Sequence, residues 1–235
     1  MPGLNCYSCP GAIASCPIGS LQNIFVNSKY KYSLFDKIPF YVIGLLVVFG
    51  IIFGRIICGF LCPFGLIQEL IYKINTPKIR KNKISAKLIY IKYIILLIFV
   101  IIIPLIMFYP GFCKFICPVG TLEAGLFFVI FDKNLREIIG LLFSVKIIIL
   151  IIILTMSIFM YRFFCRFICP LGAFYSLFNK ISIFGLKIDS NKCINCGECV
   201  NKCLMDVKKV GDRECIECGE CIKHCKVNAI GWKKL

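Results

Sequence analysis

The phrase Cys-Pro-x-Gly occurs four times, as Cys16-Pro-Ile-Gly, Cys62-Pro-Phe-Gly, Cys117-Pro-Val-Gly and Cys169-Pro-Leu-Gly, each near the end of an apolar run. Start-to-start spacings of 46, 55 and 52 residues, with a second cysteine upstream each time, imply duplicated units rather than scattered thiols. Eight thiols in four pairs can hold two four-iron clusters.

The runs around these cysteines are long. Of the 235 residues 59% are hydrophobic, and the mean hydropathy of +0.87 is too apolar for a soluble domain of this size. Residues 39–57, 88–109 and 140–161 are each near the ~20 residues that a bilayer-spanning helix needs. They are nearly pure Ile, Leu, Val and Phe, with Tyr90, Tyr93, Tyr109 and Tyr161 near their ends as expected interfacial anchors. After each Cys-Pro-x-Gly a shorter apolar stretch follows, expected to form an interfacial or re-entrant helix. The expectation is an all-α membrane protein of about three transmembrane helices with pseudo-repeats, occupying residues 1–185.

A net charge of +16 could suggest nucleic acid, but its distribution argues otherwise. Residues 186–235 carry ten Lys/Arg and seven Asp/Glu, leaving +13 on the apolar part, where topology and cluster charge explain it better. Lys73, Lys78, Arg80, Lys81, Lys83 and Lys87 face a single Glu69 between the first two spans, and the positive-inside rule makes that loop cytoplasmic. The first 28 residues have no charged side chain, so no cleaved signal peptide is expected and the first span would serve as an anchor.

The strongest local signal is Cys193-Ile-Asn-Cys196-Gly-Glu-Cys199-Val-Asn-Lys-Cys203, repeated 22 residues later as Cys215-Ile-Glu-Cys218-Gly-Glu-Cys221-Ile-Lys-His-Cys225. This is the bacterial ferredoxin spacing, twice. In two-cluster ferredoxins the fourth cysteine of each run serves the other cluster. One cluster is therefore expected on Cys193, Cys196, Cys199 and Cys225, the other on Cys215, Cys218, Cys221 and Cys203. Residues 186–235 are thus expected to form a small α+β 2[4Fe-4S] ferredoxin-like domain. Zinc also accepts four thiolates, but two complete ferredoxin runs at a fixed offset argue against it. His224, the only histidine, reads as a solvated residue, and no histidine stands in the apolar part to ligate haem.

In the apolar part, Cys58 and Cys62, Cys113 and Cys117, and Cys165 and Cys169 are each four apart, so that on a helical turn both thiols of a pair face the same way. Arg55 and Arg162 stand three residues before Cys58 and Cys165; the Cys113 repeat has Pro110 there, and the first repeat has the irregular Cys6-Tyr-Ser-Cys9. This sorts repeats two and four together, and one and three together. One span between successive repeats would place the two kinds on opposite sides. Cys9, Cys16, Cys113 and Cys117 would then hold an outer cluster and Cys58, Cys62, Cys165 and Cys169 an inner one. Cys6 would replace Cys9 as a ligand, or be a free or a redox-active thiol. A rival topology, prompted by Lys29, Lys31 and Lys37 on the outer side, folds each repeat back as a hairpin with all four pairs at depth. Gln22, Gln68, Glu123 and Tyr175, six residues after each Cys-Pro-x-Gly cysteine, read as interfacial polar groups.

The motifs Arg55 to Pro63 and Arg162 to Pro170, followed by the paired ferredoxin runs, resemble the NapH/NosR-type membrane polyferredoxins, whose mark is two RxxCxxxCP motifs beside transmembrane helices. The resemblance implies electron transfer between a membrane quinol pool or another membrane carrier and a partner reductase. The sites at the N-terminus and around Cys113 are additional to that pattern. The expected role is an electron carrier or oxidoreductase subunit in the cell membrane with its ferredoxin domain cytoplasmic. It would carry about four [4Fe-4S] clusters, two per domain. Its partners would be the lipid bilayer, redox proteins on the cytoplasmic side, and a quinone or external carrier. The alternatives are a membrane oxidoreductase acting on a quinone, metal ion or disulfide at the outer cysteines, and a redox sensor or maturation factor. No dinucleotide fingerprint, P-loop or acid/base constellation occurs, so the partner supplies the substrate chemistry.

Overall fold

The computed structural model describes residues 16–27, 40–79, 88–131 and 140–233. Cys6, Cys9 and the basic residues Lys29, Lys31, Lys37, Arg80, Lys81, Lys83 and Lys87 lie outside them.

Each apolar run folds into a helix: α2 over Phe40–Phe53, α4 over Ile91–Met107 and α7 over Leu141–Phe159. Among the described residues only α7 is by itself long and apolar enough to cross a membrane; α2 and α4 are apolar but shorter. Within α4, Pro104 has no N–H to give the carbonyl of Val100, and the helix widens into a π-helical stretch over Leu96–Ile102. Gly54, at φ +52°, ends α2 in the left-handed conformation, where a Cβ would come within 2.9 Å of the Asn179 side-chain oxygen.

Short helices follow the cysteine phrases: α1 over Pro17–Asn27, α3 over Pro63–Tyr72, α6 over Leu126–Phe131 and α9 over Pro170–Phe178. The turns α5, Gly111–Phe115, and α8, Phe163–Phe167, carry Cys113 and Cys165. The short helices pack along the long ones: α1 against α2 and the Met107 end of α4, α9 against the Ile91 end of α4, and α3 against α7. One continuous core results, in which Ile18, Leu46, Ile57, Phe64, Val100, Phe112, Ile153, Phe164 and Leu171 pack with the cysteines of all four repeats.

Residues 186–233 form the small α+β unit. Strands β1, Leu186–Ile188, and β2, Ile230–Trp232, pair antiparallel with Leu186 opposite Trp232. Two one-turn helices, α10 (Glu198–Asn201) and α11 (Glu220–Lys223), sit between them in sequence. The 22-residue duplication is written in the backbone: Asn195 and Glu217, Gly197 and Gly219, and Asp206 and Asn228 all have positive φ. The loops that carry the cysteines therefore curl the same way twice.

Candidate metal centres

The Cys-Pro-x-Gly phrase is a helix start. Cys62 and Cys169 adopt extended backbone at the N-cap, and Pro63 and Pro170 occupy the first helical position, where a missing N–H costs nothing. The glycine comes third, and its N–H points back at the cysteine sulfur, at 3.3 Å from Gly172 to Cys169 and 3.5 Å from Gly120 to Cys117. The upstream cysteine lies on a separate preceding turn, which is π-helical over Ile57–Leu61 for Cys58. The expected arrangement of both thiols along one helical turn is replaced by two consecutive elements meeting at the second cysteine. Glycine relieves crowding here, since a Cβ at Gly65 would be 3.3 Å from the Cys58 carbonyl, and one at Gly172 would be 3.1 Å from the Cys165 carbonyl.

Repeats two and four converge. Cys58, Cys62, Cys165 and Cys169 are buried within electrostatic reach of one another. Arg55, Arg162 and Lys92, all buried, couple to the same sulfurs. Arg162, held at φ +48°, donates to the Cys58 carbonyl, to the Gly59 carbonyl at 2.9 Å and to Glu69 at 2.8 Å. Among the described residues, buried Nε of Arg162 and Nε and Nη2 of Arg55 have no hydrogen-bond partner. Orphaned cationic N–H groups beside four thiols fit an anionic cluster, which supplies the acceptors they lack.

Repeats one and three also meet. The Cys113 sulfur lies 4.0 Å from where a Cβ on Gly19 would stand, at the start of α1 just after Cys16. Cys16, Cys113 and Cys117 share the common core. The two groupings touch α7 at different levels: Lys146 donates to the Cys113 carbonyl at 3.3 Å, whereas Ser157 bonds Gln68 beside Cys165. Eleven residues of helix separate those levels by about 16 Å. Tyr175 is fully buried and lies within electrostatic reach of both Cys58 and Cys16.

In the C-terminal unit Cys203 couples to Cys215, Cys218 and Cys221, so the fourth thiol of the first run sits with the first three of the second. Cys199 couples to Cys193 and Cys196. The Ala229 N–H reaches the Cys225 sulfur at 3.2 Å. Burial pushes the Cys215 thiol up to about 12, and a bound metal would have to displace its proton. Among the described residues no three Cys, His, Asp or Glu side chains draw together as tightly as a single metal ion requires.

The module docks on repeats two and four. The Ile216 carbonyl lies so close to Gly59 that a Cβ there would be 2.6 Å away. Glu214 accepts from Arg55 at 2.7 Å and from Lys92 at 2.5 Å, and Arg166 pairs with Asp206 at 2.8 Å. Asn179 donates to the Asp212 and Cys215 carbonyls. Burial alone would push the Glu214 carboxyl up, but Arg55 and Lys92 hold it below the usual carboxylate range. Tyr161 stacks edge-on against Tyr72 in a cluster with Met205, Val207 and Ile216. It is therefore part of this interface, not the membrane anchor expected of a tyrosine at a span end.

Three groups were not legible as site residues. Gln22 and Gln68, expected at an interface with solvent or headgroups, are fully buried and donate to the Cys113 and Cys165 sulfurs. Nothing in the sequence singles out Lys92, whose role comes only from its meeting with Glu214. A glutamine recurring six residues after two of the four phrases was the one available signal.

The chain belongs to the 4Fe-4S binding domain family, whose model matches three times, over residues 38–87, 92–136 and 143–189. Each match contains one Cys-x3-Cys-Pro pair, at Cys58 and Cys62, Cys113 and Cys117, or Cys165 and Cys169. Its relatives include two uncharacterized proteins of Methanocaldococcus jannaschii. One is 35% identical over 171 residues, 70% of this chain and 64% of the relative; the other is 29% identical over 198 residues, 81% of this chain and 65% of the relative. The chain thus spans slightly under two thirds of the length of either. No solved structure matches it. Membership marks it as an iron–sulfur protein that binds 4Fe-4S clusters.

Proposed function

We propose that this chain is a multi-pass cell-membrane protein that relays electrons between a membrane or extracytoplasmic redox partner and a cytoplasmic one. Four thiol sets would hold its [4Fe-4S] clusters: Cys193, Cys196, Cys199 and Cys225; Cys215, Cys218, Cys221 and Cys203; Cys58, Cys62, Cys165 and Cys169; and Cys16, Cys113 and Cys117 with Cys9 or Cys6. When bound, such clusters supply one-electron carriers whose potentials the protein tunes over roughly −700 to +450 mV. The observation that carries this reading is the seating of Ile216, between two module cysteines, on Gly59, next to Cys58 of the apolar part. On this reading the sets would follow one another from the exposed Cys196 inward.

The membrane assignment rests on exposed apolar surface. Val48 on α2, Ile94, Leu97 and Ile106 on α4, and Ile148, Ile151 and Ile152 on α7 are each more than half exposed, a belt that water would not tolerate. Lys78 and the docked module lie at one end of α7: Lys78 donates to the Ile158 carbonyl, and Tyr161 contacts the module. Cytoplasmic basic residues and a cytoplasmic ferredoxin unit are then on the same side. A NapH/NosR-type exchange with a quinol pool would take place at the set containing Cys16. The test is the iron and acid-labile sulfide content of anaerobically purified protein, with EPR of its reduced form. About sixteen irons per chain are expected from four cubanes; about eight would leave only the ferredoxin module loaded and overturn the proposal.

A further inference from the structure

Gln22 and Gln68 perform one set of contacts twice. Gln68 Oε1 accepts the Phe164 N–H at 3.0 Å and the Ser157 hydroxyl at 3.4 Å, while Nε2 donates to the Phe64 carbonyl and the Cys165 sulfur, both at 3.3 Å. Gln22 Oε1 accepts the Phe112 N–H at 3.2 Å, while Nε2 donates to the Ile18 carbonyl at 3.5 Å and approaches the Cys113 sulfur at 3.6 Å. Phe112 and Phe164 immediately precede those cysteines. Because the backbone N–H can be met only by the amide oxygen, the side-chain amide is oriented, and its two hydrogens face a carbonyl and a sulfur. A glutamine of repeat one thus acts on repeat three, and one of repeat two on repeat four. The corresponding positions of repeats three and four are Glu123 and Tyr175, so amide donors come only from the first half of the chain.

We infer that Gln22 and Gln68 are positioning residues that set the reduction potentials of the two cysteine sets in the apolar part, each by an N–H donated to one sulfur across a repeat pair. The inference rests on reading those sets as cluster sites. A hydrogen bond to a ligand sulfur stabilises the reduced, more negative state more than the oxidised one, and in a buried site water does not replace it when it is lost. The Oε1 contact fixes where the donor stands by tying it to the backbone next to the cysteine it addresses.

Gln68→Met and Gln22→Met keep the side-chain length, add no charge and remove the donor. EPR-monitored redox titration of the full chain should show one midpoint moved to a more negative potential in Gln68→Met and a different midpoint so moved in Gln22→Met, with iron content unchanged. Unmoved midpoints at full iron content, or the same midpoint moved by both, would overturn the inference. Should the methionine variants lose iron, pulsed EPR on the unmutated protein grown with 15N at the glutamine side-chain amide decides. Coupling of a reduced centre to that nitrogen is expected, and its absence sinks the idea. Wild-type protein with about eight irons in place of about sixteen would defeat the underlying site reading itself, whereas about sixteen irons with unmoved midpoints defeats the inference alone.

Discussion

Glu214 neutralises two fully buried cations at once, Arg55 and Lys92, and its own side chain is only 15% exposed. Two positive charges side by side in a closed space repel each other and carry a desolvation cost, so the carboxylate between them is what makes their burial tolerable. Glu214→Ala leaves both cations without their carboxylate partner. It should destabilise the protein by about 3–5 kcal/mol, the range for breaking a buried pair from one side. Thermal unfolding of detergent-solubilised protein measures this, and an unchanged midpoint would show that the cations find other partners. Arg55 and Arg162 look equivalent in sequence, each three residues before a cysteine, yet one reaches the C-terminal module and the other reaches carbonyls of repeat two. Sequence spacing fixes which turn a residue occupies, not what lies across from it. For that reason the arginines were recognisable and their separate tasks were not.

At the scale of elements, the long helices and the ferredoxin runs were legible because their signals are local. Unbroken Ile, Leu and Val leave few alternatives to a buried or lipid-facing helix, and C-x2-C-x2-C-x3-C dictates a curled loop. The sorting of the repeats was legible only in part. The upstream arginine groups two with four, whereas the local backbone groups three with four: the Cys117 and Cys169 N–H groups bond back to Phe112 and Phe164, and Ile116 and Ile168 share the same conformation. Repeats one and two give glutamines and repeats three and four receive them, a relation between distant segments that no single motif displays. The turn itself makes a prediction. A methyl group at Gly172 would press on the Cys165 carbonyl at 3.1 Å and force α9 away from α8, costing about 1–3 kcal/mol of overpacking. Gly172→Ala should therefore lose one cluster, about four of about sixteen irons, while the ferredoxin EPR signals persist. Full iron content in this variant would show that the turn tolerates the shift.

On the scale of the whole molecule, the question is whether the C-terminal unit is a fixed part of the path or a tethered carrier that comes and goes. Three features hold it in place: the Glu214 ion group, the Arg166–Asp206 pair, and the Asn179 side chain donating to two carbonyls of the Cys215 loop. Each joins residues distant in sequence, so none could be read from the ferredoxin motif. The contact at Gly59 is the most demanding, because its neighbour is the Ile216 backbone carbonyl and not a side chain that could swing aside. A valine there must push the module outward or tilt it. Gly59 has no side chain and is not one of the thiol ligands, so cluster assembly in both parts should survive. Gly59→Val is accordingly expected to keep its full iron content and both sets of EPR signals. Electrons delivered by flash reduction to the exposed Cys193–Cys199 end should, however, reach the set around Cys58 at least tenfold more slowly than in the unmutated chain. Freeze-quench EPR at fixed times after the flash separates the two populations. An unchanged rate would mean that the module delivers electrons by another route or from a detached state, and the interface at Gly59 would then be a resting contact, not the path.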